Sequence, residues 1–328
     1  MTYLFGLSNK KANRCDARRR HRAARRPYDG GVPAARSIID VLTERVRTDG
    51  SRPLLTYYNP AKGERVEFSG RSFANWVDKT ANLLATLGVE EMVAGPVSVQ
   101  HPGHWMSLIW PLAAWQRGLI YAAAEPPLPD HAELVVIGPE HPQPLLPGAT
   151  IACSLHPLGL GLSGLPAGVM DYTGEALAEP DAHWAASVDS DEIAWVDGLA
   201  RDQSMTAPGT SGNNTEAAWR SWMVSTGYWV GSSPRHADWL ALKPASGRAL
   251  VRPSTPRATL AEALIRPLLG GGSAVVVDGP VAEGDLARII ASERVDHEAG
   301  ETTGPHEHSY PGVGRESEVP PGSWRHQL

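Results

Sequence analysis

Short apolar runs alternate with amphipathic helical segments along most of this 328-residue chain, and that alternation limits the fold more than any other feature. Residues 54–58, 64–68, 97–99, 119–123, 133–137, 151–155, 249–252 and 274–277 read as strands, because they are short, apolar and bounded by turn-forming or polar residues. Between them lie helical patterns. One spans about residues 34–48, with Ile38, Ile39, Val41, Leu42 and Val46 on one face. A second opens at Ser69 as N-cap, carries Phe73, Trp76, Val77, Thr80, Leu84 and Leu87 at i, i+3, i+4, i+7 spacing, and stops at Gly88. Others are expected at residues 104–117, 217–229 and 260–269, with a last one marked by Leu286, Ile289 and Ile290. Strands and helices at this spacing predict an α/β fold, a layered sheet with flanking helices and parallel elements. Pro111 falls inside the helix at 104–117, where it is expected to remove a hydrogen bond and kink the helix at a cost of about 3 kcal/mol.

Composition narrows the class. An apolar share of 42% supports a sizeable core, and 11 Trp against 3 Phe point to bulky aromatic packing. The net charge of −6 conceals an asymmetry: residues 1–30 hold nine Lys/Arg and two Asp, and the remainder holds 21 basic and 34 acidic residues. An acidic body excludes nucleic acid as a partner of the folded region. Residues 1–31 read as a disordered basic tail, and residues 298–328, rich in Gly, Pro, Glu, Ser and His, as a second disordered tail. Cys15 and Cys153 lie far apart, so neither a disulfide framework nor a zinc site is expected, which fits a cytoplasmic protein. No run approaches 18 apolar residues, so no membrane span is expected, and the basic start lacks the apolar region of an export signal.

Several motifs compete for a chemical reading. Gly159-Leu160-Gly161-Leu162-Ser163-Gly164 matches a dinucleotide fingerprint in letters, yet Leu165-Pro166-Ala167-Gly168 follows where a helix should begin, so a Gly-rich loop is expected. Ser163 lacks the second glycine of a nucleophile elbow. Cys153 reads as a small buried hydrophobe, and Trp105, Trp110 and Trp115 as core. His306-Glu307-His308 has no fixed third ligand.

Three stretches resemble a known family. They are Leu54-Leu55-Thr56-Tyr57-Tyr58 with Glu64-Arg65-Val66-Glu67 and the helix through Asn75-Trp76 and Thr80–Leu84; His104-Trp105 up to Gly118; and Arg266-Pro267-Leu268-Leu269-Gly270-Gly271-Gly272 leading into Ala274-Val275-Val276-Val277. Together they are similar to the N-terminal region of AMP-binding, adenylate-forming enzymes: acyl-CoA synthetases, luciferases and adenylation domains. Ser154–Gly159 and Gly168–Tyr172 resemble signatures of short proteins that keep only that part of the fold. The resemblance covers about two thirds of the chain. It implies a partial N-terminal adenylation-domain-like fold over residues 32–297.

It also implies where ATP or AMP would sit. The family's Gly/Ser/Thr-rich phosphate loop ends in Pro-Lys-Gly, whereas this chain has Gly209-Thr210-Ser211-Gly212-Asn213-Asn214-Thr215-Glu216. Thr210, Ser211 and Gly212 are the remnant, without the lysine and with a glutamate of the wrong sign. Residues 250–256 occupy the place of a Pro-x-x-His segment and hold no histidine, and the family's ribose-binding Asp and catalytic Lys are expected beyond the matched stretch. The expectation is a truncated, degenerate, non-catalytic protein that binds a ligand or docks a partner. The alternative is a weak or split acyl/aminoacyl-adenylating ligase completed by another chain. Apolar surface left by a missing half would favour a homo-oligomer or a protein partner.

Overall fold

The computed structural model describes residues 37–125, 128, 132–140, 149–197 and 233–299. The expected tail at 1–31, residues 300–328 of the second tail, His306–His308, the loop with Thr210, Ser211 and Gly212, and the expected helix at 217–229 lie outside the described residues. The start expected for the second tail is corrected: Glu298 lies in a strand beside Leu250, and the Ala299 N–H donates to the Leu250 carbonyl at 2.8 Å, so backbone pairing holds residues whose composition alone reads as disordered. The first helix, α1 (Ile38–Asp49), starts at a capping box: the Ser37 hydroxyl accepts the Asp40 N–H while the Asp40 carboxylate accepts that of Ser37. β1 (Pro53–Asn59) and β2 (Glu64–Ser69) form an antiparallel pair. Their turn closes because the Asn59 side chain accepts the Lys62 N–H and Gly63 takes φ of 67°. Ser69 then caps α2 (Gly70–Thr86), as its sequence predicts.

The strand expected at 97–99 is instead a helix, α3 (Pro96–Gln100), and the strand precedes it as β3 (Met92–Ala94). Pro96 at the first helical position supplies the helical φ and needs no N–H there, which outweighs the β-branched Val97 and Val99. Next come α4 (Trp105–Gln116), β4 (Ile120–Ala123), β5 (Ala132–Ile137) and β6 (Thr150–Ala152). α4 is buried on every side, and its tryptophans are core: Trp105 packs on Phe68 and Trp76, Trp110 on Tyr172, and Trp115 on Trp239. Helix α4 runs through Pro111. The Ser107 carbonyl, deprived of the Pro111 N–H, accepts the Ser98 hydroxyl at 3.2 Å. The bond removed by proline is thus restored from α3.

The Pro/Gly-rich stretch holds elements that periodicity does not show: β7 (Val169–Asp171), α5 (Tyr172–Ala178) and β8 (Trp195–Asp197). The chain continues with α6 (His236–Leu240), β9 (Arg248–Val251) and α7 (Pro256–Leu260). A π-helical turn, Ala261–Ile265, leads into α8 (Arg266–Gly270), then β10 (Ser273–Val277), α9 (Glu283–Glu293) and β11 (His297–Glu298).

Two sheets result. One has the order β11-β9-β10-β1-β2 and is parallel except for β2; the other, β7-β6-β5-β3-β4-β8, is wholly parallel. The expected α/β layering with flanking helices is present. On the first sheet, Glu293 of α9 pairs with Arg65 of β2 and Arg248 of β9 and accepts the Tyr58 hydroxyl, fastening the helix across three strands. Among the described residues no helix is long and apolar enough to cross a membrane.

The glycines at the end of α8 serve close packing. A Cβ on Gly270 would lie 2.3 Å, and one on Gly272 2.6 Å, from the Ala245 carbonyl oxygen. The buried Arg45 of α1 binds that turn through the Gly271 and Gly272 carbonyls at 3.0 and 3.3 Å. Arg45→Ala leaves these carbonyls unpartnered and is expected to cost about 2–4 kcal/mol. Arg52→Ala, which removes an exposed partner of the same Asp49, should cost below about 1 kcal/mol. Urea denaturation of both variants measures the difference.

Candidate ligand site at the carboxyl ends of the strands

Parallel strands bring their following loops to one end, and in open α/β sheets ligands bind there. Here residues 101–104, between α3 and α4, lie against the carboxyl ends of strands from both sheets. A Cβ on Gly103 would stand 2.3 Å from Pro253, just past β9, and 3.2 Å from the Asp278 carboxyl carbon, just past β10. One on Gly138, just past β5, would stand 3.2 Å from the His101 ring and 3.7 Å from Leu155, past β6. A side chain at Gly103 would collide with the Pro253 ring, and one at Gly138 would press on the His101 ring.

The polar groups of this cleft are His101, His104, Tyr57 and Asp278, with exposed Lys62 and Glu140 nearby. The Tyr57 hydroxyl donates to Asp278 Oδ2 at 3.2 Å. Burial first, and then the Asp278 charge, push the Tyr57 phenol well above its ordinary pKa, so it stays protonated. The His104 ring meets the Tyr57 ring edge-on, with centroids 4.9 Å apart. His104 also caps α4: Nδ1 accepts the Met106 N–H at 3.2 Å, which places the ring proton on Nε2. The Leu155 backbone lies close enough to act on this ring electrostatically, and among the described residues Nε2 makes no hydrogen bond of regular geometry. Burial, aided by the neighbouring His101, lowers the His104 pKa to about 3. His101 is half-buried, its Nε2 likewise has no partner, and burial outweighs Glu140 and Asp278 in lowering its pKa. At neutral pH the cleft therefore presents two uncharged imidazoles, a phenol and one carboxylate. Such a set has the chemistry for directed hydrogen bonds to a polar ligand, and its negative charge would oppose a polyphosphate. Among the described residues no group of three or more His, Cys, Asp or Glu could hold a metal ion.

One wall is the Gly-rich loop after β6. Its expected character holds, since no helix follows Gly164. Asp171 ties the loop down, accepting the Leu162 N–H on Oδ1 at 2.9 Å and the Gly174 N–H on Oδ2 at 2.7 Å. Ser154 and His156 add further turns: Ser154 Oγ accepts the His156 N–H, and His156 Nδ1 accepts the Leu158 N–H. Gly159, at φ of 66°, backs onto Trp76 and Trp105. Cys153 is buried as expected. Its Sγ accepts the Trp110 indole N–H at 3.3 Å, and burial pushes the thiol up to about 12.

Of the residues singled out from sequence, Thr210, Ser211 and Gly212 lie outside the described residues. In the 250–256 segment Pro253 abuts Gly103, and Thr255 caps α7. The cleft's imidazoles come instead from the His101-Pro102-Gly103-His104 tetrapeptide. In the sequence Tyr57 reads only as a strand residue, and Asp278, directly after the strand at 274–277, carries no signal of its own.

A TIGR03089 family protein of Mycobacterium tuberculosis (strain ATCC 25618 / H37Rv) is 30% identical over 225 residues, covering 66% of this chain and 88% of the relative. The chain belongs to the TIGR03089 family. No protein-family model matches it. Two solved structures share the fold of this TIGR03089 chain. The Brucella canis acyl-CoA synthetase superposes with a TM-score of 0.52 at 17% identity, over 82% of this chain and 48% of its own. The anthranilate CoA ligase AuaEII, in complex with anthranoyl-AMP, gives 0.52 at 14% identity over 81% and 50%. The TIGR03089 chain thus spans about half the length of these solved structures, and the likeness read from sequence extends to the backbone fold.

Proposed function

We propose that this protein binds a small polar ligand in the cleft formed by His101, His104, Tyr57 and Asp278 and does not complete adenylation by itself. The observation that carries the reading is the uncharged, largely buried floor at the carboxyl ends of both sheets, with unpartnered imidazole nitrogens next to one carboxylate. Transfer of an adenylyl group needs positive charge at the developing phosphate centre. The remnant loop around Thr210, Ser211 and Gly212 lacks its lysine, and Asp278 adds the opposite sign. The solved structures of similar fold support a second reading, an acyl or aminoacyl ligase completed by another chain.

ATP–pyrophosphate exchange over a panel of carboxylic acids, alongside calorimetric titration with AMP, ATP and the same acids, separates the two. Binding without exchange is the expected result, and His101→Ala should weaken that binding about 10-fold by removing a buried hydrogen-bonding nitrogen. Exchange above background by the purified chain would establish the ligase reading instead. The absence of binding by every probe would remove the ligand-binding reading.

A further inference from the structure

From Gly118 to Ala200 the chain contains no Lys or Arg, while twelve Asp and Glu fall in that stretch. All four large apolar side chains exposed among the described residues lie inside it: Leu158 at 71%, Leu160 at 58%, Leu177 at 58% and Trp184 at 96%. They sit on three consecutive segments, each anchored to the same helix, α2. Gly159 backs onto Trp76, the Tyr172 hydroxyl of α5 meets Thr80 Oγ1 at 2.7 Å, and Asn82 Nδ2 donates to the Pro180 and Ala182 carbonyls at 2.9 and 3.0 Å. Lys79 adds a bond to the Glu179 carbonyl, and His183 Nδ1 pairs with Asn82 Oδ1 at 2.7 Å. The backbone is therefore held in place while the side chains face outward. Exposed acids accompany them at Glu175, Asp189 and Asp191, while Asp181 is already paired with Lys79 at 2.7 Å.

Rigidly held apolar side chains, one of them a nearly fully exposed tryptophan, have the character of interface anchors, for which little ordering entropy remains to be lost. The negative charge of these three acids selects the partner. It repels nucleic acid and anionic lipid surfaces alike. We propose that this face docks a cationic amphipathic segment of a partner protein, with apolar side chains against Leu158, Leu160, Leu177 and Trp184 and Lys or Arg opposite Glu175, Asp189 and Asp191. The docking is independent of ligand binding in the cleft and survives the failure of that reading.

The test titrates the full-length protein with three synthetic helical peptides: a Leu/Lys amphipath, a Lys/Ser peptide of equal charge and a Leu/Gln peptide without charge. Saturable one-to-one binding of the Leu/Lys peptide is expected, with both controls at least about 10-fold weaker. Trp184→Ser and the Leu158→Ser/Leu160→Ser pair should each weaken binding about 10-fold while circular dichroism shows an unchanged fold, because these side chains are exposed. Glu175→Lys with Asp189→Lys should weaken it similarly and flatten its salt dependence, whereas Glu283→Lys on α9 should not. No binding, equal binding of the Lys/Ser peptide, or indifference to Trp184→Ser overturns the proposal. A wild-type dimer in sedimentation that Trp184→Ser dissociates would also overturn it, by assigning the face to a second copy of the chain.

Discussion

Gly95→Ala is expected to destabilise the protein by about 3–5 kcal/mol, lowering the melting temperature by roughly 10 °C in a unit of this size. The constraint is space and not backbone angle, since Gly95 has φ of −122°. An added methyl carbon would fall 1.8 Å from the Tyr121 hydroxyl oxygen and 2.4 Å from its ring carbon Cζ. Tyr121 cannot swing aside, because it is fully buried and packs against Trp195 with ring centroids 5.3 Å apart. Its hydroxyl also bonds Ser98, whose own hydroxyl restores the Ser107 carbonyl left by Pro111. Displacing the ring therefore disturbs the repair of α4 as well. A double-mutant cycle checks the cause. Tyr121→Leu removes the clashing atoms at the cost of a cavity, so Gly95→Ala should cost much less in that background than in the wild type. Additive costs would show that the clash is not the origin.

Acid is the second large effect. His104 and His236 are buried without charge, and burial lowers their pKa values to about 3 and about 4 from an ordinary value of 6.5. A histidine whose folded pKa lies below its unfolded one binds its proton in the unfolded chain first. Stability is then complete above pH 6.5 and falls as the pH drops from there toward the folded values. At pH 5 each residue should contribute about 2 kcal/mol of lost stability, or roughly 4 kcal/mol together, before any carboxylate is considered. Urea midpoints at pH 7.5, 6 and 5 measure the slope. His104→Asn keeps an N-cap acceptor for α4 but cannot titrate, so it should halve the slope. A wild-type midpoint unchanged between pH 7.5 and 5 would show that these imidazoles are solvated.

Much of this fold is legible in the residues, and the failures have physical causes. Helix α2 is readable because its apolar side chains repeat over four turns and Ser69 caps it. β1, β10 and the layering follow from uninterrupted apolar runs. Val97–Val99 misleads, because β-branched residues favour strands until a proline fixes the first turn of a helix. β7, α5 and β8 escape notice because three-residue strands carry no period and α5 depends on a single cap from Asp171. The cleft is the least legible part. Tyr57 and Asp278 are separated by 221 positions, and only the parallel pairing of β1 with β10 makes them neighbours. His101 and His104 gain meaning only once Gly103 and Gly138 are seen to admit the strand ends around them.

The strand order of the first sheet has a bearing on synthesis. β1 and β2 leave the ribosome first, yet β1 borders β10, whose last residue is Val277. At about 5–20 residues per second, the gap from Asn59 to Val277 corresponds to roughly 10–40 s of translation. Throughout that interval the apolar edge of β1 has no parallel neighbour, whereas the second sheet, from Met92 to Asp197, can close on its own. The nascent chain therefore carries an open strand edge for most of its elongation, and it needs shielding from other chains until the last strands arrive.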